Sequence, residues 1–180
     1  PSVARKFLLA GKGGLNLTHA ESFDRFVGRY REASDWLRPQ LADFGAEQVR
    51  AWSASLGVPT FVGSSQRVFP VDMKAAPLLR AWIHRLRGLG LQTHMRHRWV
   101  GWDADGAWRF DRPQGPPVSV KASLVVLALG GGSWARLGSD GRWCPVLAER
   151  GVGVRPLAPS NGGFLVDWSD HLRSRHAGDP

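Results

Sequence analysis

The sequence predicts an α/β fold, and three observations carry that expectation. An apolar stripe with helical spacing runs through residues 73–87. Short strand-like segments separated by turn residues follow between residues 91 and 121. The unbroken apolar run Leu124–Leu129 then ends in Gly130-Gly131-Gly132. That is the pattern of a buried parallel strand whose C-terminal end meets a tight turn.

The elements are expected in this order. Residues 20–56 read as helical. Thr18 and Glu21 have the spacing of a capping box, and Phe23, Phe26, Val27 and Tyr30 fall at i, i+3, i+4 and i+7. Ser34 and Glu47 lie near further helix starts, and Gly57 is placed to close the last helix. Pro59–Val62 and Val68–Phe69 read as short strands. The helix over 73–87 carries Ala75, Leu78, Leu79, Trp82, Ile83 and Leu86 on one side, tolerates Pro77 in its first turn, and ends at Gly88 and Gly90. Leu91–Met95, Arg98–Asp103, Ala107–Asp111 and Val118–Lys121 read as strands. Asp103-Ala104-Asp105-Gly106 is a turn, and Arg112–Pro117 is a loop. Residues 141–150 read as a helix closed by Gly151. Beyond Arg155 come a linker-like stretch, a short strand at Phe164–Val166 and a frayed end at Arg173–Pro180.

Composition limits the function classes. The chain has 180 residues, 43% of them hydrophobic, enough for one good core and inconsistent with bulk disorder. No apolar run approaches membrane-spanning length, and no signal-peptide h-region is present, so a cytoplasmic location is expected. The single cysteine, Cys144, excludes an intramolecular disulfide and reads as a small buried apolar residue. The net charge is +9. Its arginines are scattered over nearly every segment, which favours general surface charge over a nucleic-acid surface. Nine tryptophans are assigned to packing, among them Trp82, Trp99, Trp102 and Trp108.

The segment with the most chemical content is Arg5–His19. It runs from the pair Arg5-Lys6 through a small apolar stretch into Gly11-Lys12-Gly13-Gly14-Leu15-Asn16-Leu17-Thr18-His19. Glycines admit close backbone approach and positive φ, and successive N–H groups in such a turn can form an anion site. Arg5 and Lys6 would add positive charge beside it. Three further blocks follow: Gln66-Arg67-Val68-Phe69-Pro70 with Lys74-Ala75, the run ending Leu127-Ala128-Leu129-Gly130-Gly131-Gly132-Ser133, and Gly138-Ser139-Asp140-Gly141 before a helix.

These four blocks, in this order, resemble a bacterial family of NAD(P)/FAD-dependent oxidoreductases, aminoacetone-oxidase-like and bile-acid-dehydroxylation-type flavoproteins with the glutathione-reductase-type FAD fold. The likeness spans residues 5 to about 167. It implies a partial, Rossmann-like FAD-binding domain with a β-meander over residues 1–155, and the beginning of an inserted second domain over 156–180. It implies FAD as cofactor, NAD(P)H as a possible reductant and a small-molecule substrate. The backbone of Gly11, Gly13, Gly14, Asn16, Leu17 and Thr18 would lie along the flavin and ribityl chain. Asn16 would fix the turn or touch the flavin edge, while Thr18 is assigned first to a helix cap. A backbone group near Val100 would pair with the adenine. Ala128, Leu129, Gly130 and Gly131 would pack near the pyrophosphate or ribose. No catalytic residue is assigned.

The chain departs from the family at three positions, where Gly14-Leu15 replaces Arg-Cys and His19 replaces Asn. The G-x-G-x-x-G pyrophosphate turn is absent from the sequence. The chain therefore reads as an interior piece of a longer protein, expected to hold FAD weakly by itself and to be inactive alone. Two alternatives stand beside this reading. One is a basic nucleic-acid-binding module using Arg96, Arg98 and Trp99; the other is a non-catalytic interaction domain. His94 and His97, three apart on an expected strand, should face opposite ways, so no metal site is assigned. Ser133 lacks a G-x-S-x-G elbow, no P-loop spacing is present, and Asp140 reads as a turn residue.

Overall fold

The computed structural model describes residues 3–159 and 166–176. The chain is α/β and divides into two compact units, Pro1–Lys121 and Ala122–Pro180.

In the first unit, α1 (Arg5–Ala10) leads into the glycine turn and then β1 (Thr18–His19). Helices α2 (Phe23–Gly28), α3 (Ser34–Asp43) and α4 (Ala46–Ser55) follow, then β2 (Thr60–Val62), β3 (Arg67–Pro70) and α5 (Ala75–Gly88). Strands β1, β3 and β2 form an antiparallel sheet in that order, with Thr18 opposite Val68 and Phe61 opposite Phe69. The meander β4 (Arg98–Trp102), β5 (Trp108–Asp111) and β6 (Val118–Val120) forms a second antiparallel sheet.

The expected α5 stripe is the anchor of the core. Leu78 is fully buried, Ala75 and Leu79 nearly so, and Leu15 and Val58 pack in the same cluster with Leu17 and Trp52 at its edge. Gly57 closes α4 as expected. Its φ is +75°, its N–H donates to the Ala54 carbonyl, and the Val58 N–H donates to Ser53. This paired closure satisfies the carbonyls that a helix end leaves open. The fully buried Ser53 hydroxyl then donates to the Val58 carbonyl at 2.7 Å.

Several expectations are corrected. Thr18 does not cap a helix: it is paired in β1, and α2 starts five residues later behind Ser22. The Glu21 carboxylate is engaged by the Arg29 guanidinium through two hydrogen bonds instead. Leu91–Met95 forms no strand. Leu124–Leu129 lies in no strand, and Leu124 and Val126 are 83% and 79% exposed. A strand exists only through a partner ladder, and no strand among the described residues pairs with either segment. The apolar pattern records a preference for burial on both faces; it cannot supply the neighbours.

In the second unit, α6 (Trp143–Ala148) is shorter than the expected 141–150, with Gly151 after it at φ +76°. Helix α7 (Asp170–His176) takes in Arg173–His176, where fraying was expected. The expected strand at Phe164–Val166 lies outside the described residues apart from Val166, which is in no strand.

The meander holds a feature that the tryptophan count only hinted at. Trp99 faces Phe110 and Trp102 faces Trp108, with a β-bulge between Trp99 and Gly101. In an unbroken strand Trp99 and Trp102 would point to opposite faces. The extra residue, Val100, resets the alternation and puts both on one face. Their rings and that of Trp108 then cluster with centroids 5.1–5.4 Å apart. The Asp103 carboxylate closes the turn by accepting the N–H groups of Asp105 and Ala107. It is held below its ordinary range, first by a hydrogen bond from Ser119 and then by the Ala107 N–H.

Candidate functional site

The glycine turn sits between α1 and β1, held against the N-terminal end of α5. Most of its backbone donors are used by the fold. Gly11 N–H donates to Phe7, Lys12 to Leu9, Gly14 to Gly11, Leu15 to Met73 and Leu17 to Val68. Two donors remain without an acceptor among the described residues, the N–H groups of Gly13 and Asn16. They are not adjacent, so the turn is not the successive nest that suits a phosphate. It also follows the C-terminal end of α1, where the helix dipole is negative and disfavours anions. Two separated single donors suit the neutral oxygen and nitrogen acceptors on the edge of a flat ring.

The three glycines differ in what demands them. A Cβ on Gly11 would lie 2.6 Å from the Ala75 Cβ. Gly14 has φ +127°, and its Cβ would meet the Met73 methyl at 2.8 Å. Packing and conformation therefore require both. At Gly13 a Cβ would meet nothing within 4 Å. The fold gives no reason for glycine there, while the close approach of a ligand does.

The other expected residues are placed as follows. Arg5 and Lys6 lie in the first turn of α1, about 8 Å along the helix axis from the glycine turn at 1.5 Å per residue. Asn16 is exposed and its side chain makes no hydrogen bond among the described residues. It therefore does not fix the turn and stays available to a ligand. Leu17 is half-buried against the core, and Thr18 is a strand residue. Val100 is the bulge residue of β4, without a register partner.

Beside the turn lies a constellation that sequence reasoning missed. Glu21, its side chain 4% exposed, lies 3.4 Å from His19 Nδ1. Its carboxyl is held below the ordinary carboxylate range, chiefly by the Arg29 hydrogen bond and against the opposing effect of burial. The His19 Nδ1 is buried and makes no hydrogen bond among the described residues. The only signal in the sequence was His19 standing where the family has Asn.

In the second unit, Ala128 and Leu129 belong to the unpaired run. Gly130 has φ +72°, and its carbonyl accepts from Trp143 Nε1 at 2.9 Å. The Gly131 carbonyl accepts from the Ser139 hydroxyl at 2.8 Å. The N–H groups of Gly130, Gly131 and Gly132 have no acceptor among the described residues, and a Cβ on Gly131 would meet nothing within 4 Å. Three successive open donors are what a pyrophosphate or ribose oxygen can use.

Two further placements bear on the alternatives. Arg98 and Arg109 pair with Asp111 and Gly101 on the meander face away from the tryptophans. Basic and aromatic groups therefore do not share one stacking surface. The His94 and His97 rings are in contact, 5.6 Å apart, where opposite orientations were expected. The segment is not a strand, and Arg96 between them has φ +59°. No group of three metal-ligating side chains exists among the described residues. None of the helices there is long and apolar enough to cross a membrane.

Residues 1–170 match the family described as the HI0933-like protein Rossmann domain. The chain belongs to the HI0933-like Rossmann family. That family is of the FAD-binding, oxidoreductase type, which agrees with open glycine donors in both units. No curated protein matches the chain. The open N–H groups of Gly13 and Asn16 and the uncovered Gly13 face are the donors and the room that the edge of a flat ring would need.

Proposed function

We propose that this chain is part of an FAD-dependent oxidoreductase that moves hydride or an electron pair between a small molecule and flavin, with NAD(P)H as a reductant. The observation that carries the reading is the turn around Gly13, an uncovered glycine with two open backbone donors in a chain of a flavin-binding family. FAD, when bound, supplies the two-electron chemistry. The chain's own residues hold and orient it. The Gly13 and Asn16 N–H groups would donate to the ring edge, and the exposed Asn16 amide would be free to reach it. The adenine is met by the backbone around Val100, where the bulge leaves a residue out of the ladder. Residues 1–155 form the FAD-binding domain, and 156–180 begin an inserted second domain.

The test is a visible absorption spectrum of the full-length parent protein as purified and after reconstitution with FAD. Flavin bands that bleach on adding NADH or NADPH support the reading. A parent protein that stays free of bound flavin even after reconstitution refutes it.

A further inference from the structure

We propose that the cleft between α1 and α5 binds a phosphomonoester carrying a short apolar body. The cleft, about 240 Å³, has Leu8, Leu79 and Ile83 as its floor and Arg80, His84 and Arg87 at its rim. Residues 80, 84 and 87 are spaced by four and three along α5, so they share one helix face beside the row of Leu79 and Ile83.

The charge on this face is not answered by the fold. Arg80, His84 and Arg87 make no ion pair or hydrogen bond among the described residues, whereas Arg85 of the same helix donates to the carbonyl and hydroxyl of Ser55. Neither α1 nor α5 contains an aspartate or glutamate. Like charges at i, i+4 spacing repel. Arg87, in the last turn, gains from the helix dipole; Arg80, in the middle, does not.

A cationic rim above an apolar floor is complementary to an anion joined to an apolar group. Guanidinium forks match the oxygens of a phosphate in pairs. Each buried methylene contributes about fourfold in affinity, so the floor separates an alkyl phosphate from the bare ion. The site is separate from the glycine turn. Gly11 packs on Ala75 at the start of α5, and the cations begin about 8 Å further along and extend to about 18 Å.

The test is calorimetric titration of the protein, without flavin, with hexyl phosphate, inorganic phosphate and hexanol. Hexyl phosphate is expected to saturate at least about tenfold tighter than inorganic phosphate, with no heat from hexanol. Arg80→Gln and Arg87→Gln should each weaken it, and together abolish it, while Arg109→Gln on the meander leaves it unchanged. Near-UV circular dichroism checks that each variant is folded. Equal affinity for inorganic and hexyl phosphate would reduce the site to surface charge. Unchanged binding in the folded double variant would overturn it, as would hexanol binding as tightly as hexyl phosphate. None of these results depends on the flavin reading.

Discussion

Gly13→Ala is expected to leave stability intact and to impair flavin binding, while the same change at Gly11 or Gly14 destabilises the fold. At Gly13 the new methyl meets nothing within 4 Å and the backbone lies outside the left-handed region. The change can even add about 0.4–1 kcal/mol by restricting the unfolded chain. At Gly11 the methyl lands 2.6 Å from the Ala75 Cβ, which is fixed to α5 and cannot swing aside. Overpacking of that kind costs about 1–3 kcal/mol. At Gly14 the strain of φ +127° costs about 1–3 kcal/mol, while the Met73 methyl, at the end of a flexible chain, can move. With a urea slope of about 2 kcal/mol/M, Gly11→Ala and Gly14→Ala shift the midpoint down by roughly 0.5–1.5 M, and Gly13→Ala shifts it little or upward. Tryptophan fluorescence in urea reads this. With the flavin edge held as proposed, a methyl on the open face would separate the ring from the Gly13 N–H. Losing that hydrogen bond and the close approach is worth about tenfold in affinity or more, read by flavin absorbance. The reasoning fails if Gly13→Ala is as destabilising as Gly14→Ala, or if it binds flavin as tightly as the parent.

Other outcomes follow from the same structure. Glu21→Gln should flatten the acid limb of stability. A carboxyl whose native pKa is lowered stabilises the fold above its unfolded value, about 4.5, and that contribution is lost as the pH falls through the lower native value. Urea midpoints of parent and variant should therefore converge toward low pH, and a constant gap would contradict this. Leu78→Ala removes a fully buried side chain and should cost about 2–5 kcal/mol, measured by denaturant unfolding. Ser53→Ala leaves the buried Val58 carbonyl without its donor and should cost about 1–3 kcal/mol. Deleting Val100 removes the bulge and leaves Trp99 and Trp102 two residues apart in a regular strand, on the same face as Trp108. The expected readout is near-UV circular dichroism from the ring cluster that persists, whereas inserting a second residue beside Val100 should abolish it; loss of the signal on deletion would show that the bulge does not set the alternation.

Where local rules suffice, the sequence was legible. The α5 stripe, the Gly57 closure and the Asp103–Gly106 turn rest on contacts within a few residues, and all three are found where expected. The glycine turn was legible as a site, but not the division of labour within it. That division depends on Ala75 and Met73, which are more than fifty residues away in sequence. The Glu21–Arg29–His19 group was likewise hidden, because spacing suggested a cap and only the pairing of β1 with β3 excluded it.

The sequence by itself determined the α/β class, the helical core stripe, the hairpin turns and the glycine segments that mark a flavin-binding family. Those features follow from backbone propensity and from periodicity along one element. Only the tertiary structure decided that Gly11 and Gly14 serve packing while Gly13 faces open space, that a bulge gathers three tryptophans, and that Leu91–Met95 and Leu124–Leu129 remain outside any sheet. Each of these depends on which atoms from distant parts of the chain come within a few ångströms. Hydrophobic periodicity can state that a segment seeks a partner, but the partner's position is a property of the assembled fold.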